Sequence, residues 1–363
     1  MMTTPTIYFY FPEAYKLEAE NFDLIIDRYL QQSIAMSEVW EWHVGSHPSL
    51  KSDGLFSWII QTYLHLKNRG VACELVSSLP DEGIVILPRK FVPDDLKPGK
   101  NLLFVMIKAD GKLHQYSQIH LIENLAENFT KDSRLWKSHF IPLFPQPGLR
   151  PRDLQHGDRF ENIAYFGLET NLAAELRSPE WKAELRSLGF NWMVVDRDRW
   201  HDYRNIDAVV AVRSFQEQGY NWKPASKLFT AWHAGVPAIL GRESAYQVER
   251  KSELDYIEVS SPTEVINALK RLREDPMHRQ KMIENGRLRA PKTDVDQISA
   301  QWQSFLTDIA IPAHAQWSKA SRLEQKFFMW QRDVAIEAKA IRTRISRLEW
   351  QVKKVVKSLL PAG

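Results

Sequence analysis

The sequence predicts an α/β protein: two βα domains in series, joined by a proline-rich linker, with a long helix at the C-terminus. Three observations carry this. Short apolar runs alternate with segments of helical spacing through the first 150 residues, a proline cluster breaks the rhythm, and the alternation then restarts. Residues 313–360 contain neither Pro nor Gly, which permits one continuous helix. The length of 363 residues suits two domains of about 150 residues and an extension.

The elements follow in order. IYFYF (7–11) reads as a strand. Leu55, Trp58, Ile59, Thr62 and Leu66 recur at helical spacing, and Asn68-Arg69-Gly70 ends that helix. VACELV (71–76), IVIL (84–87) and LLFVMI (102–107) are further strands, and strands separated by helices indicate parallel βαβ units covered on both faces. Residues 142–153, PLFPQPGLRPRD, fit neither a helix interior nor a central strand. The predicted domains are therefore 1–150, 151–312 and a helical 313–363. In the second domain IAYFG (163–167), WMVV (192–195), AVVAV (208–212), VPAIL (236–240) and YIEV (256–259) read as strands. Residues 171–186, 225–234 and 263–273 read as the helices between them.

The C-terminal helix carries a seven-residue repeat. Phe327, Val334, Ile341, Leu348 and Val355 form one series; Gln331, Ala338, Ile345, Val352 and Leu359 form a second, four residues later. These are d and a positions of five heptads, with only Gln331 polar. From residue 315 onward there are 11 Lys/Arg against 4 Asp/Glu. Such a helix either packs back across the two domains or forms a coiled-coil homodimer, and its basic face suits peripheral contact with anionic lipid.

Composition excludes several classes. With 48 basic and 45 acidic side chains the net charge is +3, which gives no support to nucleic-acid binding. Cys73 is the single cysteine, so neither a disulfide framework nor a cysteine zinc site is available, and a reducing compartment is expected. No signal-peptide pattern opens the chain and no run of 18 apolar residues occurs, so a cytoplasmic protein is expected. Most of the 13 tryptophans are expected in the core, although aromatic rings also stack on sugars.

The stretch 223–237, KPASKLFTAWHAGVP, places Lys223, Ser226 and Lys227 around a helix start beside Pro224. Free N–H groups and the positive dipole end attract anions there, and two lysines with a hydroxyl suit a diphosphate. Two solvated surface lysines are the plainer reading.

SKLFTAWHAGVPAILG resembles the donor-site segment of bacterial nucleotide-sugar-dependent glycosyltransferases of the GT-B fold, a group related to the retaining glycosyltransferase superfamily. DYIEVSSPTEVINALKRLREDP and MIENGR also match, with a short helix closing on Asn285-Gly286-Arg287. The resemblance is strongest over residues 160–305 and architectural over the first 150. It implies two Rossmann-like domains facing a cleft. It also implies that Lys227, with Lys223 or Arg213, holds the donor diphosphate. Many retaining members have glutamate where this chain has Thr230, so the ribose contact and the stereochemistry depart from the pattern. Glu243 is a candidate donor contact, or alternatively a helix cap.

In the first domain the loop Lys51-Ser52-Asp53-Gly54 resembles the glycine loop facing the acceptor. An inverting enzyme needs a general base; Asp53 and His47 are the candidates there, with His43 nearby, and a retaining enzyme needs none. VVDRD (194–198) has the spacing of a metal-binding Asp-x-Asp, but GT-B enzymes are usually metal-independent. The resemblance implies no metal or cofactor. The expected function is transfer of a sugar from a nucleotide-diphosphate donor to a hydroxyl of a glycan, lipid-linked or small-molecule acceptor, as in polysaccharide biosynthesis. The alternative is a non-catalytic assembly protein of the same fold that dimerises through its last helix. No GxGxxG follows the first strand of either domain, which argues against a dinucleotide oxidoreductase.

Overall fold

The computed structural model describes residues 4–17, 19–46, 53–127, 135–216 and 218–359, with the side chains of residue 53 and of residues 352–359 outside the description. Two parallel sheets organise it. The first contains β1 (Ile7–Tyr10), β2 (Cys73–Val76), β3 (Glu82–Pro88), β4 (Asn101–Ile107), β5 (Ile119–Ile122) and β6 (Lys137–Phe140), in the order β2-β1-β3-β4-β5-β6. The second contains β7 (Asn162–Phe166), β8 (Asn191–Val195), β9 (Ala208–Ala211), β10 (Ala238–Gly241) and β11 (Ile257–Val259), in the order β11-β10-β9-β7-β8. Each chain order reverses direction beside its first strand, between β1 and β3 and between β7 and β9. That reversal makes both domains Rossmann-like, and ligands bind such sheets in the crevice at the strands' carboxyl ends.

Helices cover the faces. In the first half they are α1 (Glu13–Leu17), α2 (Phe22–Leu30), α3 (Met36–Ser46) and α4 (Asp53–Leu55), the last passing through a π-helical turn into α5 (Gln61–Asn68). In the second half they are α6 (Pro179–Ser187), α7 (Ser226–Ala234), α8 (Ser244–Glu249), α9 (Pro262–Glu274) and α10 (Pro276–Arg289). The sequence marks their starts. Ser178 accepts from the Trp181 N–H at 3.1 Å with Pro179 in the first turn, so the helix expected over 171–186 begins only at 179. Ser261 caps α9 in the same way, and Glu264 reaches back to the Ser260 N–H at 2.8 Å. Gly235, left-handed at φ 69°, closes α7 before β10. Helix α10 runs past Asn285-Gly286-Arg287 to Arg289 instead of closing there. Gly286 serves packing: a Cβ on it would lie 2.9 Å from Cδ1 of Trp232 on α7.

The chain then returns to the first half. Helix α11 (Val295–Ser304), a π-helical stretch (Phe305–Ala310) and α12 (Ile311–Lys319) place Trp302, Phe305, Leu306 and Trp317 in the core beneath the first sheet. The expected second domain of 151–312 thus contributes its last segment to the first, because these apolar residues face Phe9 and its neighbours.

The expected single helix over 313–363 is interrupted. Ala320 is extended, and Ser321 and Glu324 form a reciprocal capping box that starts α13 (Arg322–Leu359) afresh. Near its start α13 rests on the first half: Arg332 lies over the Phe328 ring and near Trp136, and Asp333 accepts from the Tyr116 hydroxyl at 2.5 Å. Beyond it Val334, Ile341, Ile345 and Leu348 are exposed. Among the described residues no helix is long and apolar enough to cross a membrane.

Candidate active site

A cavity of about 280 Å³ opens at the switch point of the second sheet. Strand β7 delivers Tyr165 and Gly167 to it, the segment after β9 delivers Arg213, and α7 delivers Ser226, Lys227 and Thr230. Gly167 is required by close approach: a Cβ would stand 2.9 Å from the Tyr165 hydroxyl and 3.3 Å from the Lys227 ammonium. The Lys227 Nζ lies 5.4 Å from the centre of the Tyr165 ring. No side chain caps α7; the Leu228 N–H donates to the Ala225 carbonyl at 3.0 Å, which leaves the N–H groups of Ser226 and Lys227 to face an anion.

The electrostatics are those of a concentrated positive site. Burial, and then the Arg213 guanidinium, lower the Lys227 ammonium from the usual lysine range to about 7. Arg213 donates through Nε to Oε2 of Glu243 at 3.1 Å. Burial raises the Glu243 carboxyl against the pull of Arg213, and its Oε1 has no hydrogen-bond partner. Glu243 therefore neither caps α8 nor lines the cavity; it supports Arg213 from behind. Thr230 is buried and lines the cavity at the position where the resemblance expects glutamate.

Lys223 goes elsewhere. It stands outside the cavity lining and forms an ion pair with Asp110 of the first half. Nearby, Asn124 donates to the Lys223 carbonyl at 3.1 Å and to the Ser244 hydroxyl at 3.0 Å, tying the two halves together.

No family model and no curated protein matches the chain. Solved structures similar to it include sucrose-phosphate synthase from Thermosynechococcus elongatus, at 13% identity over 62% of this chain and 73% of that one, TM-score 0.45. HepE of Anabaena in complex with UDP is 11% identical over 84% of this chain and 100% of that one, TM-score 0.46. The lipopolysaccharide outer core galactosyltransferase WaaB, apo form, is 14% identical over 69% and 80%, TM-score 0.39.

The acceptor-side expectations are met only in part by described residues. His47 lies outside them, as does the side chain of Asp53; Gly54 sits in α4 against the Trp58 ring. His43 is buried, its ring 4.5 Å from that of Phe56, which is a core position. Asp196 and Asp198 are exposed on a turn, with Asp196 tied to Arg199. Among the described residues no group of three or more His, Cys, Asp or Glu could hold a metal.

Sequence reasoning missed a second set of polar groups. Lys108 follows β4, Glu123 and Asn124 follow β5, and all sit at carboxyl ends of parallel strands. Lys108 pairs with Glu127. Burial, with Asp110 and Glu127 adding to it, pushes the Glu123 carboxyl up to about 8, and its Oε2 has no hydrogen-bond partner. Strand-end position was the available signal, but β5 is only four residues long and its apolar run was not distinctive. Trp200 and Tyr203, which also line the cavity, lie in an irregular segment without a periodic signal.

Proposed function

We propose that the protein is a glycosyltransferase that moves a sugar from a nucleotide-diphosphate donor to an acceptor hydroxyl. The observation that carries this reading is the convergence of Arg213, Lys227 and the open start of α7 on one cavity at the second sheet's switch point. Two cations and the N–H groups of Ser226 and Lys227 in that position suit a diphosphate better than a single carboxylate. A buried lysine close to an arginine is held near neutrality and becomes fully charged when an anion arrives.

Positive groups fixed at the departing diphosphate stabilise charge that grows as the glycosidic bond breaks. Thr230 offers a hydroxyl to the donor from the second turn of α7. The acceptor enters from the first half, where Asp53 or His47 serves as base if the reaction inverts configuration. The diphosphate's charge is met by protein cations, and turnover is expected to persist in chelator.

Calorimetric titration with UDP, ADP and GDP tests the site. One of these should bind wild type, and Lys227→Ala should weaken that binding by about ten-fold or more with unchanged circular dichroism. Lys223→Ala should change it by no more than about two-fold, because Lys223 is engaged with Asp110. Equal affinity in wild type and Lys227→Ala would remove the assignment.

A further inference from the structure

The outer face of α13 has a heptad pattern that nothing in the described structure covers. Phe327, Val334, Ile341 and Leu348 at d and Ile345 at a are exposed, with Ala338 between them. A helix packed only on its own domain follows a 3.6-residue period, whereas a strict seven-residue repeat drifts off a straight helix unless two helices supercoil. Val352, Val355 and Leu359 continue the repeat in sequence to the end of the helix. From Val334 onward the segment is about 39 Å long.

We propose that α13 pairs with the same helix of a second copy, parallel and in register. Charge complementarity selects this occupant. Taking Val334 as d, Glu337 and Arg344 occupy g positions, and Arg342 and Glu349 occupy e positions; all four are exposed. In a parallel in-register pair each g residue faces the e residue five positions later on the other helix. Glu337 then meets Arg342 of the second copy and Arg344 meets Glu349, so each contact joins opposite charges and symmetry doubles both. An antiparallel pair meets g with g and e with e. The registers that would oppose Glu337 to Arg344 and Arg342 to Glu349 are two heptads apart, so no single one satisfies both.

Ile345 and Val352 at a with Leu348 at d is the arrangement that favours dimers, whereas Val334, Ile341 and Val355 put β-branched residues at the other d positions, so the two-strand state rests on the charge pairing and is read by sedimentation. Lys339, Arg347, Lys353 and Lys354 lie at b and c, on the outer side of the helix, so they leave the a/d seam free for pairing.

Full-length protein should sediment as a dimer at micromolar concentration, and Ile341→Glu/Ile345→Glu should sediment as a monomer. Two charge variants sharpen this. Glu337→Arg/Glu349→Arg makes all four facing residues basic, and Arg342→Glu/Arg344→Glu makes them all acidic. Each alone should raise the dimer dissociation constant by about ten-fold or more, and an equimolar mixture should recover a dimer. Ile345→Cys should form an intermolecular disulfide between identical positions under mild oxidation, since the native Cys73 is buried. A monomeric wild type, whether or not it binds vesicles of phosphatidylserine and phosphatidylcholine, overturns the proposal. So does a mixture that fails to recover, or a dimer in which Ile345→Cys cannot cross-link.

Discussion

Lys227 is subject to two opposed demands, burial that disfavours its charge and a cavity whose use depends on that charge. Its pKa of about 7 sets the sign of two pH dependences. In the free protein Lys227 loses its proton above pH 7, so nucleotide binding there must take a proton up, and affinity should fall as pH rises from 7 to 9. Calorimetry at pH 8 in buffers of different ionisation enthalpy should reveal that uptake, and Lys227→Arg should abolish it, because arginine stays charged. Glu123 works in the opposite sense on stability. Its folded pKa, about 8, exceeds the ordinary carboxylate value of 4.5, so its contribution is intact at pH 4 and is lost as pH climbs through 8. The melting temperature of Glu123→Gln relative to wild type should therefore increase between pH 5 and 8; a constant difference would contradict the burial argument. At this scale the sequence was readable where the chemistry is local. Ser226, Lys227 and Thr230 lie within the first two turns of one helix and a loop leads to them, whereas the partner that removes Lys223 from the cavity, Asp110, is 113 residues away.

At the scale of elements, what proved legible depended on end signals. Helices with a capping serine and a proline, such as α9, were placed to within a residue or two, while the segment 171–186 lost its first turns to Ser178-Pro179, a start signal inside the apparent helix. The break at Ala320 came from a capping box, Ser321 to Glu324, that overrides an otherwise unbroken helical composition. Strand β6, KSHF, has no apolar run because it is a sheet edge, and its place in the sheet comes from pairing with β5. Gly286 shows packing overriding propensity. Alanine in mid-helix would gain about 1 kcal/mol over glycine. Its Cβ, however, would meet the buried Trp232 ring at 2.9 Å and the Trp232 Cα at 3.4 Å, and neither can withdraw without moving α7. Overpacking of this kind costs about 1–3 kcal/mol. Gly286→Ala should therefore be destabilised on balance in urea unfolding, and because α7 carries Lys227, its nucleotide affinity should fall as well. A stabilised variant would mean that the α7–α10 contact yields easily.

On the scale of the whole molecule, the two halves are joined by chain at two places: the proline-rich segment before β7 and the return through α11 and α12, which seats Trp302 and Trp317 beneath the first sheet. The proline segment was legible because proline excludes regular structure. The return was not, since an apolar helix at the end of one domain looks the same whichever core it fills. Across the facing surfaces Asp110 pairs with Lys223 and Asn124 donates to Lys223 and Ser244, while Glu41 meets Arg150 and His201 and Trp200 packs against both cores. The cations of the cavity all belong to the second half, so nucleotide binding by itself should not depend on those contacts. Sugar transfer should, because the acceptor has to be presented by the first half and water kept out. Asp110→Ala/Asn124→Ala is accordingly expected to keep its nucleoside diphosphate affinity within about two-fold and to lose about ten-fold or more in kcat/KM. Small-angle scattering should show an increased radius of gyration with unchanged secondary structure by circular dichroism. If transfer survives at the wild-type rate while the scattering changes, presentation of the acceptor does not depend on this contact. If nucleotide affinity falls in parallel with transfer, the first half takes part in donor binding and the division of labour between the halves is different.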